Sequence, residues 1–100
     1  MKVIARPMGT GKTEELLRLA AENKALVLAE NKAELQAKAN AYGITVQVVD
    51  FDDIVNTYYG EDVPIYIHRM DNFVKHYFAE DYGFQLKGYS IRMENDDEEI

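Results

Sequence analysis

"RPMGTGKT", residues 6–13, directly follows a short apolar run, "KVIA" at residues 2–5. A loop that holds a phosphate needs backbone N–H groups that converge on the anion, and glycine adopts the required backbone most readily. It needs a lysine to reach the terminal phosphates and, beside it, a hydroxyl for magnesium. It must also lie between a strand and a helix, so that the helix N-terminus faces the anion. Gly9, Gly11, Lys12 and Thr13 supply those groups in order, and Thr10 stands between the two glycines. The consensus G-x-x-x-x-G-K-[ST] has a glycine where this chain carries Arg6. Arg6 has two readings that residue type does not separate: charge-assisted bonds to a phosphate, or a pair with a nearby carboxylate.

The flanking pattern supplies the context such a loop requires. Lys2–Ala5 reads as a short buried strand. From Lys12 to about Asn23 the pattern is helical, with Leu16, Leu17, Leu19, Ala20 and Ala21 forming a broad apolar face. "ALVLA" at 25–29 is an unbroken apolar run, as in a strand covered on both faces. Asn31 caps a second helix, with Glu34 at the capping-box place and Gly43 at its end. "TVQVV" at 45–49 is β-branched and reads as a third strand.

Asp50 or Asp52 then starts a short helix that stops near Gly60. "PIYI" at 64–67 is a fourth strand, with proline tolerable at its first position. A helix is expected from Asp71 to about Ala79, and a last strand at Tyr89–Met93. Strands alternating with helices indicate an α/β layer fold with a mostly parallel sheet.

Composition narrows the function classes. The chain has 100 residues, room for one domain at 1–93 and an acidic tail, "ENDDEEI", at 94–100 that reads as a frayed, solubilising end. It contains no cysteine, which rules out disulfides and thiolate metal sites. No secretory signal and no run long enough to span a membrane is present, so a cytoplasmic setting is expected. Net charge is −7, from eleven Lys+Arg against eighteen Asp+Glu. That balance argues against direct grip on nucleic acid, which relies on clustered cations.

"ARPMGTGKTEELLRLA" followed by "ALVLAE" resembles the opening of a P-loop NTPase of the helicase and terminase type, a group in which arginine at the first-glycine place is a familiar variant. The whole chain is similar to small P-loop proteins of phages and prophages. "PMGTGKTEELLRL" also looks like the first motif of type II thymidine kinases, but this chain lacks their cysteine cluster and is too short. The main resemblance implies a three-layer P-loop NTPase-like fold: five mostly parallel strands with helices on both faces. It implies ATP or GTP with Mg2+ bound through Arg6, Gly9, Thr10, Gly11, Lys12 and Thr13. Implied partners are the nucleotide and a phage or host replication or packaging protein.

The departure comes at "PIYIHRMDNF", residues 64–73. A P-loop hydrolase ends this strand with an aspartate that holds magnesium, often followed by a catalytic glutamate. His68 and Arg69 stand in those places. Asp71 stands where the resemblance to the phage proteins puts a second acid, so Thr13 and Asp71 are the metal ligands that resemblance implies, although an aspartate at a helix start is more often an N-cap. No catalytic residue is assigned. At most weak hydrolysis is expected, because phosphoryl transfer loses much of its electrostatic stabilisation without those acids. The alternative is a degenerate P-loop scaffold acting only in protein–protein contact.

Overall fold

A computed structural model gives the protein's structure over residues 2–4, 9, 11–88, 90, 98 and 99. The chain is α/β and divides into two units: Met1–Lys12 with Met70–Ile100, and Thr13–Arg69. Among the described residues no helix is long and apolar enough to cross a membrane.

The unit Thr13–Arg69 carries a three-stranded parallel sheet. Its strands are β2 (Leu26–Leu28), β3 (Gln47–Val49) and β4 (Ile65–Ile67), in spatial order β3-β2-β4. Leu26 pairs with Gln47 on one side and with Ile65 on the other. The central place of β2 explains its unbroken apolar run. Ala25, Val27 and Ala29 join one core cluster, while Leu26 and Leu28 are buried on the opposite face, as the period of two requires.

Three helices surround this sheet. α1 spans Lys12–Glu22, its first residue belonging to the other unit; α2 spans Lys32–Ala41 and α3 Phe51–Thr57. Leu17 and Ala20 from α1 and Leu35 and Ala39 from α2 share the cluster of Ala25, Val27 and Ala29. Both helices therefore cover the same face of β2. The connection from β3 to β4 runs back across β2, and the right-handed crossover rule places α3 on the other face.

Local chemistry sets the helix ends. Asn31 accepts the Glu34 N–H at 3.1 Å, but the Glu34 carboxylate takes a bond from the Asn31 side-chain amide, at 3.3 Å, rather than closing a reciprocal box. α3 does have the full box: Asp50 accepts from the Asp53 N–H at 2.8 Å, and Asp53 accepts from the Asp50 N–H at 3.0 Å. α2 ends in a Schellman turn, in which the Ile44 N–H reaches Ala39 O at 2.9 Å and the Gly43 N–H reaches Asn40 O at 3.0 Å. Gly43 sits at φ 72°, a conformation glycine takes without strain.

β3 is an edge strand, and its outer side is closed by one side chain. The Gln36 carboxamide oxygen accepts the Val48 N–H at 3.2 Å, and its NH2 donates to Val46 O at 3.3 Å. Gln36 thus takes the place a neighbouring strand would occupy, a way to blunt an edge against pairing. Gln36→Ala is expected to leave those groups open and to shift the protein toward dimers or larger species. Light scattering against concentration checks this; a variant as monodisperse as wild type would remove the role.

In the other unit, β1 (Lys2–Val3) pairs in parallel with β5 (Glu98–Glu99), with Lys2 opposite Glu98. The last paired segment therefore lies in the acidic 94–100 stretch. Of the strand expected at 89–93 only Ser90 is described, and it is not in a strand. α4 spans Met70–Lys75 and continues as a π-helical turn, His76–Asp81, two residues beyond the expected Ala79. Tyr77 lies edge-on to both Phe78 and Tyr82, at centroid distances of 5.3 and 5.0 Å.

Candidate functional site

Gly9 and Gly11 have φ values of 84° and 79°. A Cβ built on either would meet nothing within 4 Å, so glycine is required there by backbone conformation and not by crowding. α1 begins at Lys12, immediately after Gly11, and its first backbone N–H groups have no intrahelical acceptor. Glu14 and Glu15 occupy the first turn, and Glu14 pairs with Arg18 at 3.5 Å across one turn. Arg6 and Thr10 lie outside the described residues.

Thr13, Leu17 and Ala20 form one stripe along α1 at spacings of four and three. Leu17 and Ala20 are wholly buried, so the stripe faces the sheet and carries Thr13 with it. On β4, Tyr66 packs against the core cluster, and His68, two residues on, projects from the same face. The His68 N–H extends the ladder by donating to Leu28 O at 2.9 Å. The Thr13 hydroxyl then lies 3.4 Å from His68 Nε2, joining residues 55 apart in sequence. At the other end of α1, the Asn23 side-chain amide donates to the Tyr66 hydroxyl at 3.1 Å. β4 is thus tied to both ends of α1, and its tip is held against the start of the helix.

After His68 the chain turns abruptly: Arg69 has φ 60°, in the left-handed region that non-glycine residues seldom occupy. Asp71, the other candidate metal ligand, is the second residue of α4 rather than a residue preceding that helix, and α4 belongs to the other unit.

The donors at Thr13 test whether magnesium suits this place. Mg2+ takes oxygen ligands in a near-ideal octahedron, and imidazole suits zinc, copper, iron or nickel better. Thr13 has an imidazole nitrogen beside it. Among the described residues no three His, Asp or Glu side chains gather as a metal-holding group. The pair Thr13–His68 does not fit a magnesium site of the usual P-loop kind.

A second charged cluster sits where α2 and α3 begin. Lys32 Nζ is 2.8 Å from Asp53 Oδ2 and 3.6 Å from Asp50 Oδ2. The hydrogen bond to Asp53 raises the Lys32 pKa, and the same bond lowers that of Asp53. Lys32 is therefore engaged in clasping two helix starts. A groove of about 420 Å³ runs beside β3 and is lined by Lys32, Gln36, Val48, Asp53 and Tyr58 among others; neither the loop residues nor His68 line it.

The sign of both shifts defines a pH window. Asp53 adds stability above its ordinary 3.8, and this is lost as pH falls through its lower folded value. Lys32 adds stability below its ordinary 10.5, lost as pH rises through its higher folded value. A Lys32→Met variant is expected to melt below wild type at neutral pH, with the gap closing at both extremes. Thermal melts across pH check this, and a pH-independent gap would assign the effect to packing. Sequence alone did not reveal this clasp, although the Asp50-x-x-Asp53 spacing was its one signal.

No known family model, curated protein or solved structure matches this chain.

Proposed function

We propose that the chain is a minimal P-loop domain that binds a nucleoside triphosphate, ATP or GTP, or a related phosphate anion, through Gly9, Thr10, Gly11, Lys12 and Thr13, with Arg6 over the phosphates. The observation that carries this reading is the placement of Thr13 against the tip of β4. A P-loop domain needs its helix-start hydroxyl at the strand tip where the metal acid would stand, and a chance "GTGKT" in a turn has no reason to find that neighbour. The left-handed Gly9 and Gly11 support the same reading, because a phosphate cradle depends on such backbone. The fold this reading implies is three-layered, with five mostly parallel strands and helices on both faces.

Hydrolysis by the chain alone is at most weak. His68 supplies no carboxylate to hold magnesium, and Arg69 supplies no general base where one is needed. The role is then regulatory or accessory, and the resemblance of the sequence to phage and prophage P-loop proteins is the support for a part in phage DNA metabolism. The replaced acid equally favours a second reading, a scaffold that keeps the loop fold and binds no nucleotide.

Titration with ATP and with GTP, followed by melting temperature and calorimetry, separates the two. A saturable rise in melting temperature supports the binding reading. No change at millimolar nucleotide would leave the scaffold.

A further inference from the structure

The geometry points to the outer edge of β3 as a docking site for an extended, cation-bearing peptide segment of a partner protein. The segment adds to the sheet as a parallel strand, in the place that the Gln36 side chain holds while the edge is free. The site lies wholly within the Thr13–Arg69 unit, and none of its lining residues belongs to the loop. It therefore goes beyond the nucleotide reading and does not depend on it.

The hydrogen bonds at this edge state the chemistry of the occupant. Val49 O accepts from the Ala29 N–H at 2.9 Å, so Val49 turns its backbone groups toward the strand beside it, and Val46 and Val48 turn theirs outward. The outward acceptor, Val46 O, and the outward donor, the Val48 N–H, both bond to the Gln36 carboxamide, at 3.3 and 3.2 Å. A carboxamide offers the same C=O and N–H as a peptide group. In a parallel ladder one residue of the neighbouring strand takes this same pair, accepting from one residue and donating to the residue two before it. Gln36 thus marks where the backbone of a parallel neighbour lies. Exchanging one amide for another keeps both bonds, so no polar group of the edge is left unpaired. The displaced side chain also has somewhere to go, because its NH2 already reaches Asn40 Oδ1 at 3.3 Å on the same helix.

Space and charge fit the same occupant. The groove of about 420 Å³ beside β3 is lined by Ala33 of α2 on one side, and by Thr57 and Tyr58 at the end of α3 on the other. An added strand would direct its alternate side chains toward these two walls. The edge ends at Asp50, whose N–H is taken by Asp53 Oδ2 at 3.0 Å. From Val46 to that point there is room for a segment of about five residues. Two carboxylates, Asp50 and Asp53, meet one ammonium, Lys32, at this end and leave one negative charge unbalanced. A parallel segment runs toward it, so the favoured partner carries a lysine or arginine at its C-terminal end. The net charge of −7 on the chain attracts a basic segment in the same sense. Main-chain bonds supply the affinity in strand addition, which makes a simple synthetic peptide a fair probe.

The probe is an acetylated and amidated pentapeptide of alternating threonine and valine that ends in lysine. It is titrated into the isotope-labelled full chain and followed by nuclear magnetic resonance. The Val48 backbone amide and the Gln36 side-chain amide should shift together and saturate, with a dissociation constant of about 1 mM or below. N-methylation of alternate residues removes the donors along one edge of the peptide. One of the two possible methylated peptides should lose about tenfold or more in affinity, and its counterpart less than about threefold. Moving the lysine to the first position should weaken binding about threefold at low salt, a difference that high salt removes.

No saturable shift at Val48 and Gln36 by about 10 mM peptide overturns the site, and so do shifts confined to other residues. Equal losses from both methylated peptides overturn strand addition, because binding would then rest on side chains. Equal or tighter binding of the peptide with lysine first overturns the parallel, charge-matched docking. None of these results alters the nucleotide titration, so the two readings fail separately.

Discussion

Leu17→Ala is expected to destabilise the protein by about 3 kcal/mol, within the usual range for truncating a buried leucine. Leu17 is wholly buried and sits in the cluster that holds α1 and α2 against β2. Four of the nine residues of that cluster are alanines: Ala20, Ala25, Ala29 and Ala39. Alanine has no side-chain rotamers, so these neighbours cannot swing into the space a missing isobutyl group leaves. The cavity therefore persists, and the cost lies above the bare transfer energy of the lost carbons. For a chain of 100 residues, whose total stability is of order 5–15 kcal/mol, this is a large fraction.

Urea unfolding followed by circular dichroism provides the measurement: the midpoint should fall with little change in slope. Leu19 on the same helix is only half-buried, and Leu19→Ala should cost less than half as much. Equal costs at the two positions would mean that α1 does not pack through the Leu17 stripe. Because Thr13 shares that stripe, the same result would undercut its placement at the tip of β4.

On the proposed nucleotide-binding reading, Lys12→Ala is expected to abolish any rise in melting temperature on adding nucleotide. At a nucleotide concentration near one hundred times its dissociation constant, a single site adds about 2.7 kcal/mol. For a domain of this size that corresponds to a rise in melting temperature on the order of 10 °C. Lys12 is the first residue of α1 and is only partly buried, so its truncation should cost the unliganded protein less than truncation of the wholly buried Leu17. A nucleotide-dependent rise of equal size in the variant would place the ligand elsewhere. A large loss of stability without ligand would instead make Lys12 a structural residue.

Much of the Thr13–Arg69 unit was legible because its signals are local. The unbroken run at 25–29 identified the central strand, since only a strand covered on both faces tolerates it. Asn31, Gly43 and Asp50 marked helix ends through hydrogen bonds that reach no more than a few residues. Strand limits were less legible. Thr45 and Val46 have the β-branched character of a strand, yet β3 begins at Gln47, where the rungs shared with β2 begin. The π-helical turn after Lys75 was not legible either, because the apolar spacing of Phe73, Val74, Tyr77 and Phe78 reads as an ordinary helix.

The candidate site divides the same way. By itself the sequence determined the glycines at 9 and 11, the lysine and threonine that open α1, and the apolar stripe that includes Leu17. Each depends on a residue's own backbone preference or on neighbours within one helical turn. Only the tertiary structure decided which strand tip meets Thr13. The order β3-β2-β4 and the parallel register of β4 against β2 bring His68 to that position, across 55 residues of chain. Strand order is set by non-local packing and by the hand of the crossovers, and no short window of sequence encodes it. The contact between the Thr13 hydroxyl and the His68 imidazole therefore exists only in the folded chain.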